Sequence, residues 1–219
     1  MARKPNTDSS ETRQLIVNTA FRLFGQYGFN GVSIKDIARS LNLTKGALYW
    51  HFRNKEALYL ECLKKLRKLL RDHVYHPMEI EPHPAARIRL FFSGIAGIVR
   101  DIELADCIAG YFLEVGRYEM AGVRNFRRRA LNESEGFLAR TLEQGRTRGQ
   151  FVFNGGQEEL ARGMFIVLEG CILQMRRRPA GENMKTIETL YRTFMLGLGG
   201  RQNLRIVDGL RRRLKSGDN

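Results

Sequence analysis

The sequence predicts an all-α protein with a small three-helix head followed by a larger helical body. Apolar residues recur at spacings of three and four in nearly every segment, the period of an amphipathic helix. Breaks between those segments fall at the proline-rich "HPMEIEPHPAA", at Gly149, at Asn154–Gly156 and at "RPAGEN". The one β-like run, "QFVF" at 150–153, is too short to argue for a sheet. At 219 residues and 43% apolar content, the chain is long enough for one large or two small domains with real cores.

The first helix is expected over Thr12–Tyr27, where Ile16, Ala20, Leu23, Phe24 and Tyr27 form one stripe. Ser9 or Ser10 is its expected cap and Gly28 its stop. A second begins after Ser33, with Asp36 in capping-box position and Ile34, Ile37, Ala38 and Leu41 on one face, and ends at Asn42. Thr44 then caps a helix too short to fold alone. Its Leu48 and Phe52, four apart, continue the core of Ile37, Ala38, Leu41 and Leu43. Lys45 with Tyr49, and Gly46 with Trp50, are the pairs on the opposite side. Asn42 suits the break because Asn tolerates left-handed backbone.

A longer helix is expected from Lys55 to about His73, with Leu58, Cys62, Leu66, Leu69 and Leu70 inward. Its Lys64, Lys65, Arg67, Lys68 and Arg71 are mostly outward, as a solvated face. The three prolines of "HPMEIEPHPAA" mark a connector incompatible with continuous helix. Helical stretches follow at 87–102, 105–126, 128–149, 157–177 and 184–198, with breaks at Gly149, Asn154–Gly156 and "RPAGEN". The expected organisation is a head of residues 1–54, a connecting helix 55–75, a body 76–200 and a basic tail 201–219.

The formal charge of +14 surrounds the molecule with a positive field that favours polyanions, nucleic acid first and an anionic membrane surface second. Cys62, Cys107 and Cys171 are far apart and odd in number, which fits a reduced cytoplasmic compartment. There is no signal-peptide pattern and no apolar run of membrane-spanning length, so a soluble protein without a membrane partner is expected. Enzymatic chemistry finds no support. His73, His76 and His83 straddle the proline-rich connector and make no metal scaffold, and "GLGG" at 197–200 lacks the strand and Lys-Ser/Thr of a nucleotide loop. No catalytic residue, metal or cofactor is therefore expected.

A helix, a tight turn and a short second helix form a helix-turn-helix, whose second helix is narrow enough for the major groove. The residue types fit that task. Thr44 caps the helix, and exposed amides there suit a phosphate oxygen. Lys45 reaches guanine or phosphate, and Gly46 lets the helix approach base edges. Tyr49 offers a hydroxyl, His51 a ring nitrogen, and Trp50 an indole N–H with an apolar flank. Lys55 opens the next helix, where a bound anion would account for a lysine. Packing of Tyr49 and Trp50 on the following helix is the bland alternative.

"VSIKDIARSLNLTKGALYWHFRNKEALY" resembles the DNA-binding region of the TetR/AcrR family of bacterial transcriptional regulators. The matching features are Ile37 and Ala38, Leu43 to Gly46, the aromatic pair and His-Phe of Tyr49 to Phe52, and Lys55 to Leu58, with Asn42 where Gly is usual. The resemblance implies an all-helical homodimer whose heads bind a palindromic DNA operator and whose body binds a small effector that changes the spacing of the heads. Repression released by ligand is the implied mode. By similarity Thr44, Lys45, Gly46, Tyr49, Trp50 and His51 contact DNA, with Ser33 and Lys55 at phosphates.

If the helices at 157–176 and 184–198 behave as in relatives, they form the dimer interface, where Gly163, Gly170 and Gly197 permit close approach. An apolar or amphipathic effector is expected among the aromatic and Met-rich helices, with Phe92, Ile95, Phe112, Val115, Phe126, Met164, Leu168 and Cys171 as candidate lining; ordinary core explains the same stripe. The arginine-rich "RNFRRRA" and "QMRRR" read as solvated surface rather than a cradle for an anionic effector. The rival function is a basic helical adaptor that binds RNA or an anionic membrane without sequence specificity.

Overall fold

The structure, a computed structural model, describes residues 7–114 and 120–199. Its elements are α1 (Thr7–Gly31), α2 (Ile34–Ser40), α3 (Lys45–His51), α4 (Lys55–Leu70), a π-helical turn (Arg71–Tyr75), α5 (His76–Ile80), α6 (Pro84–Arg100), α7 (Ile102–Leu113), α8 (Ala121–Thr147), α9 (Gln157–Met175) and α10 (Ala180–Gly197). No strand occurs among the described residues. The chain divides into two compact units.

The first unit joins the residues through Lys68 to Asp106–Arg129. Its core takes Ile16, Ala20 and Phe24 from the expected stripe of α1, closed over Ile37, Leu48, Leu58, Tyr59 and Cys62, while Leu23 is half-buried and Tyr27 is 58% exposed. α1 starts at Thr7, five residues before the expected Thr12, so Ser9 and Ser10 lie inside its first turn rather than capping it. At Gly28 the helix kinks with φ 73° and ψ 170°, a conformation open essentially to glycine alone. The Glu114 side chain lies where a Cβ would stand.

α1 and α7 cross in backbone contact. A Cβ on Gly110 would fall 2.6 Å from the Gly25 carbonyl carbon and nearer still to its oxygen, while one on Gly25 would lie 2.7 Å from the Cys107 carbonyl oxygen. Around this crossing the Phe21 and Tyr111 rings stack at 5.0 Å, and Tyr111 Oη donates to the Phe21 carbonyl at 3.0 Å. Arg127, read from sequence as solvated, is half-buried: its guanidinium donates to the Tyr111 carbonyl at 3.1 Å and to Tyr59 Oη at 3.0 Å. Lys65 also turns inward, donating to Asn18 Oδ1 at 2.6 Å over the Phe21 ring.

The second unit holds Leu69–Ala105 and the residues from Ala130 onward. Two sequence expectations change here. The helix beginning at Lys55 does not end near His73 but continues through a π turn into α5, because Pro77 falls in the first turn of α5, where a missing N–H leaves no bond unmade. The two helices expected at 105–126 and 128–149 are redistributed into α7 and a 27-residue α8 that runs unbroken through Phe126–Arg128. No Pro interrupts that stretch, and Arg127 is anchored on both of its neighbours in the first unit.

Phe91, Ile95, Ile98, Leu138, Leu142, Met164, Leu168, Ile172 and Met195 fill the second core. Phe151, from the run that was too short for a sheet, is buried against Gly145, whose missing side chain makes room for the ring. Asn183, fully buried, donates from Nδ2 to the carbonyls of Met175 at 2.8 Å and Arg178 at 3.2 Å, satisfying the exposed end of α9.

Candidate nucleic-acid interface

The residues that build α2 and α3 act through caps. Ser33 accepts the Asp36 N–H at 3.1 Å, while its own N–H and hydroxyl donate to Asp36 Oδ2 at 2.9 and 2.6 Å, a complete capping box. Those bonds hold the Asp36 carboxyl below the usual range, the Ser33 hydroxyl first and its backbone second. Both the donor and an acceptor capacity of the Ser33 hydroxyl are thus used inside the protein. Asn42 turns the chain with φ 54°, the only positive φ of a non-glycine residue among those described. Thr44 Oγ1 accepts the Ala47 N–H at 3.1 Å, leaving the Thr44 O–H as a donor.

α3 is divided by side. Leu48 and Phe52 are buried; Thr44, Lys45, Gly46, Tyr49 and Trp50 are exposed. Tyr49 keeps 44% of its surface and Trp50 72%, so neither ring is packed against the following helix. Lys45 Nζ stands 5.7 Å from the Tyr49 ring centre, and the Trp50 and His51 rings meet edge-on at 4.7 Å. The Gly46 position faces only Thr44 Oγ1, 3.9 Å from where a Cβ would be. His51 is half-buried, and burial first, the Arg13 charge second, lower its pKa below the ordinary histidine value. It is neutral at pH 7. Lys55 is also half-buried, its ammonium 4.2 Å from the Phe29 ring centre, and desolvation lowers its pKa against the pull of Asp36.

Sequence reasoning missed two supports. Asn54 caps α4, its Oδ1 accepting the Ala57 N–H at 2.8 Å; Asn just before Lys-Glu was a readable signal. Arg13 reaches from α1 over the Phe52 ring at 4.9 Å and pairs with Glu61 at 3.3 Å, a contact between distant parts of the chain that no local pattern reveals. Charge is concentrated as well. The segments of the first unit carry 18 Lys and Arg against 8 Asp and Glu, a balance of +10 out of +14 for the whole chain.

The expected effector residues divide between the two units. Phe92, Ile95, Met164, Leu168 and Cys171 are buried in the second unit, whereas Phe112 and Phe126, each half-buried, belong to the first; Val115 lies outside the described residues. Among the described residues no group of His, Cys, Asp and Glu could hold a metal, and no helix is long and apolar enough to cross a membrane.

Residues 16–62 match the family model described as bacterial regulatory proteins, tetR family. The chain is 36% identical over 93 residues to the "Probable acrEF/envCD operon repressor" of Escherichia coli K12, covering 41% of this chain and 42% of that protein, so it spans under half of that relative's length. It is 36% identical over 101 residues to the "Uncharacterized HTH-type transcriptional regulator TtgW" of Pseudomonas putida, covering 46% of this chain and 69% of that one. The crystal structure of AibR in complex with isovaleryl coenzyme A and operator DNA superposes with a TM-score of 0.67 at 20% identity, over 85% of this chain and 97% of AibR, which shows the shared all-helical fold. With a helix-turn-helix whose outward side is polar, cationic and aromatic lying within the residues that the family model matches, and with a 36%-identical regulator covered over 69% of its length, the chain belongs to the TetR family of bacterial regulatory proteins.

Proposed function

We propose that the protein is a DNA-binding transcriptional regulator, a repressor that occupies a palindromic operator as a homodimer and is released by a small-molecule effector. The observation that carries this reading is the exposed side of α3, where Thr44, Lys45, Gly46, Tyr49 and Trp50 face outward while Leu48 and Phe52 anchor the helix from behind. In a major groove, Lys45, Gly46, Trp50 and neutral His51 meet base edges, and Thr44, Tyr49 and Lys55 meet phosphates. Ser33 supports the pose through its capping box. The charge of +10 on the first unit supplies the phosphate attraction that such binding requires.

Residues 1–54 serve in this reading as the DNA-binding domain, 55–75 as the connecting helix, and 76–200 as effector and dimer elements; the tail 201–219 lies outside the described residues. Pairing of two copies is supported by a stripe on α9. Gly163, Ile166 and Gly170 share one side, Ile166 is 61% exposed, and the space before both glycines is open. Phe92, Ile95, Met164, Leu168 and Cys171 are candidates to contact the effector, with Phe112 and Phe126 as the remaining described candidates. The protein acts by binding rather than catalysis, in the cytoplasm.

Selection of genomic fragments by the purified protein, followed by footprinting, tests this directly. A discrete palindromic footprint is expected. Lys45→Ala and Tyr49→Ala each weaken operator binding by about 1–3 kcal/mol without loss of fold. Sequence-blind binding that grows only with nucleic-acid length, or binding to anionic vesicles, would instead mark a basic adaptor.

A further inference from the structure

α3 is too short to hold its own direction. It has seven residues, of which Leu48 is the buried one. A helix of that length owes its stability to packing rather than to itself. Its second anchor is Phe52, the capping residue at its end, whose extended backbone (φ −139°, ψ 117°) donates its N–H to the Leu48 carbonyl at 3.0 Å. A surface that reads base edges must be held to within about 0.5 Å and about 10–20°. Whatever fixes Phe52 therefore fixes the angle at which α3 is presented.

The Phe52 ring, 3% exposed, lies beneath the Arg13 guanidinium, whose Cζ is 4.9 Å from the ring centre. Arg13 comes from α1 and is held in place by Glu61 of α4, with Nη2 and Oε2 3.3 Å apart, while Lys64 Nζ donates to the other carboxylate oxygen at 2.7 Å. α1 and α4 are joined at two further levels: the Cys62 thiol lies 3.9 Å from the Val17 carbonyl oxygen, and Lys65 Nζ donates to Asn18 Oδ1 at 2.6 Å. The first of these three links reaches α3 as well, through the Phe52 ring; Lys65 crosses the Phe21 ring of α1 instead.

The charges favour an internal use of this pair. Glu61 opposes an approaching polyanion in a unit whose balance is +10, yet it is half-buried between two cations, where it directs the Arg13 guanidinium onto the ring. A phosphate drawn to Arg13 would meet that carboxylate too. Arginine suits the task because its planar, delocalised cation stacks on an aromatic face and forks to a carboxylate at once.

We infer that Arg13 is a positioning residue for DNA recognition: clamped by Glu61, its guanidinium covers Phe52 and fixes the angle at which α3 enters the groove, without itself touching DNA. The inference rests on the proposal that the protein reads an operator through α3. Operator Kd of the full-length protein, measured by fluorescence anisotropy over a series of salt concentrations, tests it. Arg13→Met and Glu61→Ala each weaken operator binding by about three- to tenfold, the combined worth of a cation–π contact and a partly exposed ion pair. Glu61→Ala decides most, because removing a negative charge tightens DNA binding by plain electrostatics, whereas losing the clamp weakens it. The dependence of log Kd on log salt keeps its slope in Arg13→Met; a lost phosphate contact would flatten it by about 1. Asn18→Ala is the control, since it breaks a link between the same two helices away from α3: Tm falls and operator Kd holds.

An unchanged or tighter Kd for Glu61→Ala, a flattened salt slope for Arg13→Met, or equal weakening by Asn18→Ala overturns the inference. Far-UV circular dichroism checks the fold of each variant. Should Arg13→Met not fold, Arg13→Lys takes its place: it keeps the charge without the planar fork, weaker operator binding is expected, and wild-type affinity overturns the inference. A wild type that holds its operator beside unaffected variants removes this inference alone, while a wild type that selects no operator removes the operator reading and this inference with it.

Discussion

Replacing Gly110 with alanine is expected to loosen the first unit at its tightest point. The new Cβ would lie 2.6 Å from the Gly25 carbonyl carbon and 3.0 Å from Gly25 Cα, with the carbonyl oxygen closer still, and backbone cannot swing aside as a side chain can. α1 and α7 must therefore separate. Overpacking of this kind costs about 1–3 kcal/mol. Separation also strains the Tyr111-to-Phe21 hydrogen bond, worth about 1 kcal/mol, and the Phe21–Tyr111 stack, worth about 0.5–1.5 kcal/mol. Alanine's better helix propensity returns at most about 1 kcal/mol. The net expectation is a loss of about 2–4 kcal/mol. Urea unfolding followed by far-UV circular dichroism, at one fixed protomer concentration, measures it. Gly97→Ala is the control, since nothing lies within 4 Å of a Cβ at that exposed site on α6; it should be neutral or stabilising by up to about 1 kcal/mol. Equal stability of Gly110→Ala and Gly97→Ala would refute the reading of the crossing as a backbone contact.

Leu48→Ala should cost about 2–5 kcal/mol by opening a cavity behind α3, whereas Trp50→Ala, at a largely solvated site, should leave thermal stability within about 0.5 kcal/mol. Trp50 is the only tryptophan of the chain, so its emission reports on α3: hydrated and red-shifted in the free protein, quenched or blue-shifted on operator duplex. Because the His51 pKa is depressed, its ring stays neutral above the ordinary histidine value, and its contribution to stability is lost only as pH falls from there through the folded-state value; operator affinity measured by fluorescence anisotropy should be flat from pH 7 to 8. Gly163→Ala should raise the stability of an isolated subunit by up to about 1 kcal/mol yet weaken self-association in sedimentation equilibrium if α9 meets its partner there.

The head was legible because its logic is local. The Ser33–Asp36 box, the Thr44 cap, the left-handed Asn42 and the four-residue step from Leu48 to Phe52 all act within a turn or two, where sequence spacing is spatial spacing. The sides of α3 followed from that step alone. What stayed hidden depends on partners far along the chain. Nothing near Arg127 announces that Tyr59 and Tyr111 will draw its guanidinium inward, and Gly25 and Gly110 look like ordinary helix glycines until their backbones touch. The π turn was lost for a different reason. Three prolines suggested a connector, yet Pro77 lands where a helix tolerates it, and the extra residue of the π turn shifts a phase that periodicity treats as constant. The effector candidates suffered most, since a buried aromatic stripe looks the same whether it lines a cavity or fills one.

Confining most of the positive charge to one unit affects how such a molecule would find its target. Screening limits the reach of a charged surface to about 10 Å at 0.1 M salt, so attraction acts only on close approach. Encounters led by the cationic unit would be captured and could slide along a duplex, while encounters led by the nearly balanced one would separate again. The search would therefore slow steeply with ionic strength, even where the fit between helix and groove is unchanged.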